Sequence, residues 1–545
     1  MGGELGRLYA ELATVGQSKR SVVPLIRLRG RCSPTMCTDR RSLLPGAAFL
    51  LPTRLRQPFG SPLRPGPQWS GCVGRLLRKS GGGLALCAIL LVGVGLRVYG
   101  LHYQSLWTDE IFSLRLTDPT LTFREFWDRV LADTHPPIYY LVLHLSSAVF
   151  GQSEIVARAP SAFFGVLTLC LAVVLPGSSL SRSSRLAFLL FLSFSPGAVW
   201  YAREARSYAL LLLLSTVITL ACIRFVQCGQ HEDRKARGAI VMLAAVSVLA
   251  SFTHYFGFLL AAAAFLTCFL LSNRRRRAIV VLAGSGVAAC FSPWVVYHSQ
   301  TIDPQRAIWI AELSVAASLR WFEYLSFGGT ASLALFVGTS AVLVATGGWR
   351  RFVARNPTVW ACALLCSVTL VAAAAISLHT PILTSRNMIV VLPPLYLIAA
   401  ELTSCSVRRW GKVAGATYLA AQVGLMGQPL AAYYTTEINE QWRESAALVL
   451  HTSGCQSGVI HVYGDALNYR FFTKRVRPNL HLIEIPEGVG AELSNVPLTA
   501  CPILLWVVGV PAWDLDDLLL RLGLSRTSLE VAEYHEAFVL LRKQP

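Results

Sequence analysis

Apolar runs of roughly 15–22 residues recur along the chain, separated by short basic loops. About 20 apolar residues cross a bilayer core, and inside it a backbone satisfies itself only as a helix or a closed barrel. This feature confines the chain to a bundle of membrane-spanning helices. The candidate spans are 83–100, 157–177, 186–202, 206–226, 239–253, 256–273, 278–297, 331–348, 359–378, 387–402 and 413–431. Composition agrees: 54% of the 545 residues are hydrophobic and 14% charged, against about a quarter charged in soluble domains.

The formal charge of +19 raises nucleic acid as a partner. The Lys and Arg residues, however, sit in short loops between apolar runs and in the N-terminal tail. That is the positive-inside pattern of a polytopic membrane protein, and it excludes the nucleic-acid reading. Residues 1–82, rich in Arg, Pro, Gly and Ser, read as a disordered cytoplasmic tail or an over-extended start of the reading frame. Five loops are basic, at Arg182/Arg185, Arg234/Lys235/Arg237, Arg274 to Arg277, Arg350/Arg351/Arg355 and Arg408/Arg409/Lys412. They share one side only if the short run 136–151, PPIYYLVLHLSSAVFG, does not cross. The expectation is eleven spans in the cell (inner or plasma) membrane, with the N-terminus cytoplasmic and the C-terminus outside.

That orientation gathers WTDE (107–110), THPP (134–137), Arg158, YAREARSY (201–208), FTHY (252–255), the 298–330 loop and TSRN (384–387) on the outer face. Buried charge is expensive in a membrane, so polar clusters at one end of several helices point to a site. Interfacial snorkelling of Arg, Tyr and Trp explains any one of them but not all together. Within the first loop, 101–156, residues 102–135 interleave charges with Phe and Trp (LTFREFWDRVLADT), the pattern of an amphipathic interfacial helix. The transmembrane domain runs over 83–431, and 432–545 turns soluble. In that last part GVIHVYG, HLIEI, PILLWVVG and a pair near 528–542 read as strands, and 444–454 and 513–523 as helices. The result is a small extracytoplasmic α/β domain. Of the 14 cysteines, Cys455 and Cys501 alone lie there; they pair if it faces an oxidising compartment, a point the sequence leaves open.

The paired acids Asp109 and Glu110 allow three uses: general base, metal ligand or half of an ion pair. Two acids leave one free to bond Arg while the other takes a proton, and like charge raises one pKa. Glu204, flanked by Arg203 and Arg206, sits on the same surface. An Arg pair beside an acid is a phosphate clamp or an Arg–Glu structural pair, and the sequence weighs these equally. There is no Gly-rich phosphate loop. The acids Asp514, Asp516 and Asp517 imitate a nucleotide-sugar metal motif, but they open an amphipathic helix, where dipole complementarity explains them. A lipid-borne phosphate donor needs Arg at the interface and no nucleotide domain.

The series formed by an acid pair after the first span, HPPIYYLVLHL, Arg158 in RAPSA, YAREARSYAL and the late TSRNMIVVLPPLYLIAA resembles bacterial glycosyltransferases of the GT-C membrane fold. It is most similar to the protein O-mannosyltransferase-like enzymes and the transferase that adds 4-amino-arabinose to lipid A. The likeness covers 83–230 best. It implies transfer of a hexosyl or pentosyl group from a polyprenyl-phosphate donor to an envelope acceptor (protein, lipid or glycan) at the outer face, with membrane lipid as surroundings. It implies Asp109 as the essential acid and base of the reaction, with Glu110 beside it and Glu204 as the second acid, where relatives often carry Asp. Arg158, Arg206 and Arg386, with Arg203, are the candidates for the carrier phosphate. His135, Tyr201, Tyr208 and His254 would line the cavity, with interfacial packing an equal alternative. No cofactor is certain and the metal need is unknown; a divalent cation held by Asp109 and Glu204 is one form of assistance. The competing readings are an envelope-lipid transporter or flippase, and a non-catalytic envelope scaffold. A transporter should show internal repeats and mid-span polar breaks, which this sequence lacks.

Overall fold

The computed structural model describes residues 82–543 apart from 175–179, 230, 302–319, 321, 325, 348–355, 381, 385, 453–454, 456–458, 475 and 486–500. The basic tail up to residue 81, most of the 298–330 loop and the cluster Arg350/Arg351/Arg355 therefore lie outside the described residues. Residues 85–545 form one compact unit.

Each expected span coincides with a helix. In chain order these are α1 (Gly82–Val98), α5 (Glu154–Val174), α6 (Arg182–Phe194), α8 (Tyr208–Gln227), α9 (Asp233–Ser251), α10 (Tyr255–Leu271), α11 (Arg274–Thr301), α12 (Thr330–Ala345), α13 (Pro357–Ser377) and α14 (Leu392–Thr435). Among the described residues, five helical segments are long and apolar enough to cross a membrane, and a sixth if a bent pair is one span; four more apolar helices are shorter. The expected spans 387–402 and 413–431 fall in one 44-residue element broken at Gly411, whose φ of 90° belongs to the left-handed region. Glycine alone enters that region freely, and Arg408, Arg409 and Lys412 cluster at the break.

The bent pair is the feature that matters for the site. α6 stops at Phe194, and α7 (Pro196–Trp200) resumes at an angle of 61°. Pro196 lacks the N–H that would continue the ladder, and the Ser195 hydroxyl accepts from the Ala198 amide to restart it. The carbonyls freed at the end of α6 are met by Arg97, buried in α1. Its guanidinium donates to Leu192 at 2.8 Å, Ser193 at 3.4 Å and Gly93 at 2.9 Å. The break thus turns the chain early enough to place residues 201–207 between elements rather than inside a span.

The first loop corrects one expectation. Residues 102–135 form two short helices, α2 (Thr108–Leu116) and α3 (Phe123–Ala132), not one. Asp118, Pro119 and Thr120 turn the chain between them, with Asp118 accepting from the Thr120 amide and hydroxyl. α3 is amphipathic as expected and opens on a Thr122/Glu125 capping box. Its Phe126 and Val130 pack with Leu116 and Tyr140. Residues 136–151 become α4 (Ile138–Phe150), whose 13 residues rise about 20 Å. Its exposed face carries Leu141, Leu145, Val149 and Phe150.

The C-terminal part contains α15 (Trp442–His451), α16 (Ala466–Thr473) and α17 (Leu515–Arg521). Its strands are β1 (Val459–Tyr463), β2 (His481–Ile485), β3 (Ile503–Val508), β4 (Leu529–Tyr534) and β5 (Ala537–Arg542). The sheet order is β2-β1-β3-β5-β4, parallel on the β2 side and antiparallel around β5. β3 is buried along its whole length, as a continuous apolar run in a central strand must be. Cys455 and Cys501 are disulfide-bonded. Asp516 and Asp517 pair with Arg526 and Arg521, so the acids of WDLDD serve the local surface.

Candidate active site

Adjacent residues of α2 point to different places. Glu110 is buried and receives four donors. Arg158 reaches it with Nε at 2.8 Å and Nη2 at 2.5 Å, the Ala205 amide at 2.7 Å and the Trp107 amide at 3.3 Å. Arg158 also donates to the carbonyls of Leu101, Gln104 and Ser105. All five N–H bonds of the guanidinium are thereby used. This corrects the expectation for the pair: Glu110 and Arg158 tie α2, α5 and the 204–207 segment together, and Arg158 has no donor left for a phosphate. Arg203 is likewise turned away from the crevice. It donates to the carbonyls of Tyr99 and Gly100 at the end of α1, and its guanidinium carbon lies 4.6 Å from the Tyr434 ring centre.

Asp109 faces the other way. Its side chain is 33% exposed, with Oδ2 2.7 Å from Arg386 Nη1 and 3.7 Å from Arg206 Nη2. Burial alone would raise its pKa. The guanidiniums of Arg206 and Arg386 outweigh burial, and His135 adds to them, so the carboxyl is held below its ordinary value. The sequence argument expected a raised pKa from paired acids; the neighbours that decide it are cations. Arg386 stacks on Trp107, 4.3 Å from the ring centre. Only its Nη1 is engaged among the described residues, which leaves two of its three nitrogens with free donors.

Arg206 also donates to Ser113 Oγ at 3.2 Å and lies 3.4 Å from His135 Nε2. The other ring nitrogen, Nδ1, lies 3.2 Å from Asp133 Oδ2. Asp133 accepts from the His135 amide and the Tyr140 hydroxyl. Burial would raise its pKa, but the bonds from His135 and Tyr140 drive it well below the usual carboxylate range. A polar chain therefore runs Asp133, His135, Arg206, Asp109, Arg386. Ser113, His135, Arg206 and Ser207 share one small crevice. Its flank is a file of rings: His135 to His254 at 5.9 Å, His254 to Tyr208 at 5.9 Å, and Tyr208 to Tyr201 at 4.9 Å. Burial, then His135 and Arg206, pushes the His254 pKa down to about 3, so the ring is neutral, and Nδ1 accepts from the Phe256 amide.

Glu204 is buried. Trp200 Nε1 donates to Oε1 at 2.5 Å, and Oε2 has no partner among the described residues. Burial pushes its pKa up to about 7, against the opposing fields of Arg386 and Arg206. The same two guanidiniums thus act on both Asp109 and Glu204. Among the described residues no group of three or more His, Cys, Asp or Glu side chains could bind a metal ion. Asp109 already faces two guanidiniums.

Sequence reasoning missed two residues here. Asp133 stands beside THPP, and its acid–X–His spacing was the available signal. Glu440 comes from the linker into the C-terminal domain. Its Oε2 accepts from the Thr108 amide at 3.0 Å, the Thr108 hydroxyl at 2.5 Å and Trp442 Nε1 at 2.6 Å. It caps the helix that carries Asp109 from 332 residues away, and nothing local in the sequence announces that.

The whole architecture is that of GT-C membrane glycosyltransferases. The crystal structure of ArnT from Cupriavidus metallidurans in the apo state aligns with a TM-score of 0.52 at 15% identity, covering 84% of this chain and 97% of that one. The same protein bound to undecaprenyl phosphate aligns at 0.48 with 14% identity, covering 85% and 98%. The Archaeoglobus fulgidus oligosaccharyltransferase in complex with Zn and sulfate aligns at 0.46 with 12% identity, covering 84% and 73%. Residues 134–297 match the family dolichyl-phosphate-mannose-protein mannosyltransferase. The fold is therefore that of the GT-C group, and the stretch 134–297 is similar to the mannosyltransferase family, in keeping with the motifs. No curated protein matches it in sequence.

Proposed function

We propose that the protein transfers a sugar from a polyprenyl-phosphate donor to an envelope acceptor, with Asp109 as the general base and Arg206 and Arg386 as the phosphate-binding pair. One observation carries this reading: an ionised, partly exposed aspartate sits between two guanidiniums, one of which keeps most of its donors free. The acceptor hydroxyl gives its proton to Asp109 as its oxygen bonds to the anomeric carbon. The bond from that carbon to the phosphate oxygen breaks, and the electron pair leaves with the polyprenyl phosphate. Arg206 and Arg386 face the charge that develops there, in a partly buried site where such contacts are strong.

The other residues are assigned supporting parts. Asp133 holds the His135 ring, and His135 orients Arg206. Glu204, protonated at neutral pH or below, supplies a hydrogen-bond donor beside the leaving group. Glu110 and Arg158 hold the frame. The active face is extracytoplasmic, a placement supported by the disulfide in the C-terminal domain and by the basic loops at the opposite helix ends.

The test is transfer by purified protein from a panel of polyprenyl-phosphate sugars. Wild type should use at least one hexosyl or pentosyl donor, and Asp109→Asn should lose transfer while remaining folded. Full transfer by Asp109→Asn would remove Asp109 as the base, absence of transfer by the wild type from every donor would favour the scaffold reading, and movement of the intact lipid without sugar transfer would favour a flippase.

A further inference from the structure

A cavity that this site does not account for has a volume of about 940 Å³. It opens between the first loop and helix α16 of the C-terminal domain. Its walls come from α2 and α3 on one side and from Leu467, Arg470, Phe471 and Lys474 on the other. Its charge is lopsided. Arg115, Arg129, Arg470 and Lys474 face Asp118 and Asp133, and both acids are already satisfied: Asp118 by Thr120, Asp133 by His135 and Tyr140. Arg115 is matched by Asp465 and Asn468. Arg470 and Lys474 are exposed and make no ion pair among the described residues. With Arg129, which donates to the Arg115 carbonyl, three cations without an ion pair among the described residues line a cleft that also presents Phe112 and Phe471.

The cleft shares one residue, Asp133, with the candidate site. Asp133 lines it and at the same time holds His135, which touches Arg206 beside Asp109. A molecule seated in the cleft therefore lies against Asp133, the first member of the polar chain of the site. A site of this volume with apolar walls and a few placed charges has the features of a ligand pocket.

We propose that this cleft binds the acceptor, and that the acceptor is a glycan carrying phosphate groups. Arg470 and Lys474 engage the phosphate. Phe112 and Phe471 pack against the C–H faces of the sugar rings, and the hydroxyl to be modified is presented past Asp133 toward Asp109. The proposal rests on the transferase reading of the adjacent site and adds to it the chemical class of the acceptor.

The test is binding to the purified full-length protein in detergent, by microscale thermophoresis. The probes are mannopentaose monophosphate, unphosphorylated mannopentaose and a hexaglutamate peptide. The phosphorylated glycan should bind at least about tenfold more tightly than the neutral one. Joint Arg470→Glu and Lys474→Glu replacement should weaken it by at least about tenfold, the scale of a lost charged hydrogen bond. Arg521→Glu, on α17, should leave it unchanged. If the double reversal lowers thermal stability, Arg470→Gln with Lys474→Gln provides the same comparison without reversed charge. Equal affinity for the two glycans, insensitivity to both double variants, or equally tight hexaglutamate binding would each overturn the proposal. Failure of the transferase reading shows separately, as absence of transfer by the wild type from every donor in the panel, because the binding measurement needs no turnover.

Discussion

Replacing Asp109 by Asn and Glu110 by Gln, one residue apart, should produce opposite phenotypes. Glu110 accepts from Arg158 twice, from Ala205 and from Trp107, with no solvent exposure. Glutamine retains one acceptor oxygen and turns an NH2 group toward these donors, leaving the Arg158 charge buried and uncompensated. Breaking a buried ion pair from one side costs about 3–5 kcal/mol. Asp109 is a third exposed, and its pair with Arg386 contributes about 1 kcal/mol or less to folding. As the general base, however, its loss should lower turnover by about 10²–10⁴-fold. The assay is thermal unfolding of detergent-purified protein, followed by size exclusion, beside turnover of a polyprenyl-phosphate sugar. Glu110→Gln should unfold early or aggregate, and Asp109→Asn should be stable and inactive. A stable but inactive Glu110→Gln together with an active Asp109→Asn would refute this division of labour.

Glu204 sits at about 7 against an ordinary 4.5. The folded state therefore binds the proton that the unfolded state has released, and this stabilising term declines as pH climbs from about 4.5 and is gone above about 7. If the neutral acid is the working form, transfer falls through about pH 7, and Glu204→Gln removes that alkaline limb while keeping activity at pH 6; a limb unchanged in the variant would discard the assignment. Asp133→Asn should free the His135 ring and lower kcat by about 10–100-fold with donor KM little altered, the scale of a small misplacement; a change confined to donor KM would place Asp133 in donor binding. The Cys455–Cys501 bond closes a separation of 46 residues, so its reduction should remove about 4 kcal/mol from the C-terminal domain on the chain-entropy account. An unfolding transition indifferent to dithiothreitol would contradict that. Alkaline phosphatase fused after Pro545 should be active in an intact cell, whereas an inactive fusion at full expression would reverse the orientation.

The helices were legible because their apolar runs need no knowledge of the rest of the chain. Residues 208–227 are apolar all round, and their burial follows from that. The strands of the terminal domain were legible for the same reason, and the acid and arginine motifs lie on loops that the fold brings together at the candidate site. What each charge does there was not legible. Arg158, Arg203, Arg206 and Arg386 look alike as letters. Whether a guanidinium is spent on carbonyls, as at Arg158, or kept open, as at Arg386, depends on which backbone ends meet it. Likewise the Asp109 pKa follows from cations 97 and 277 residues away in sequence, and the helix beneath it is capped by Glu440 from the far end of the bundle. Hydrophobic pattern is a local property of the chain and survives in the sequence. Hydrogen-bond saturation and electrostatic field are sums over neighbours, and only the folded arrangement supplies the neighbours.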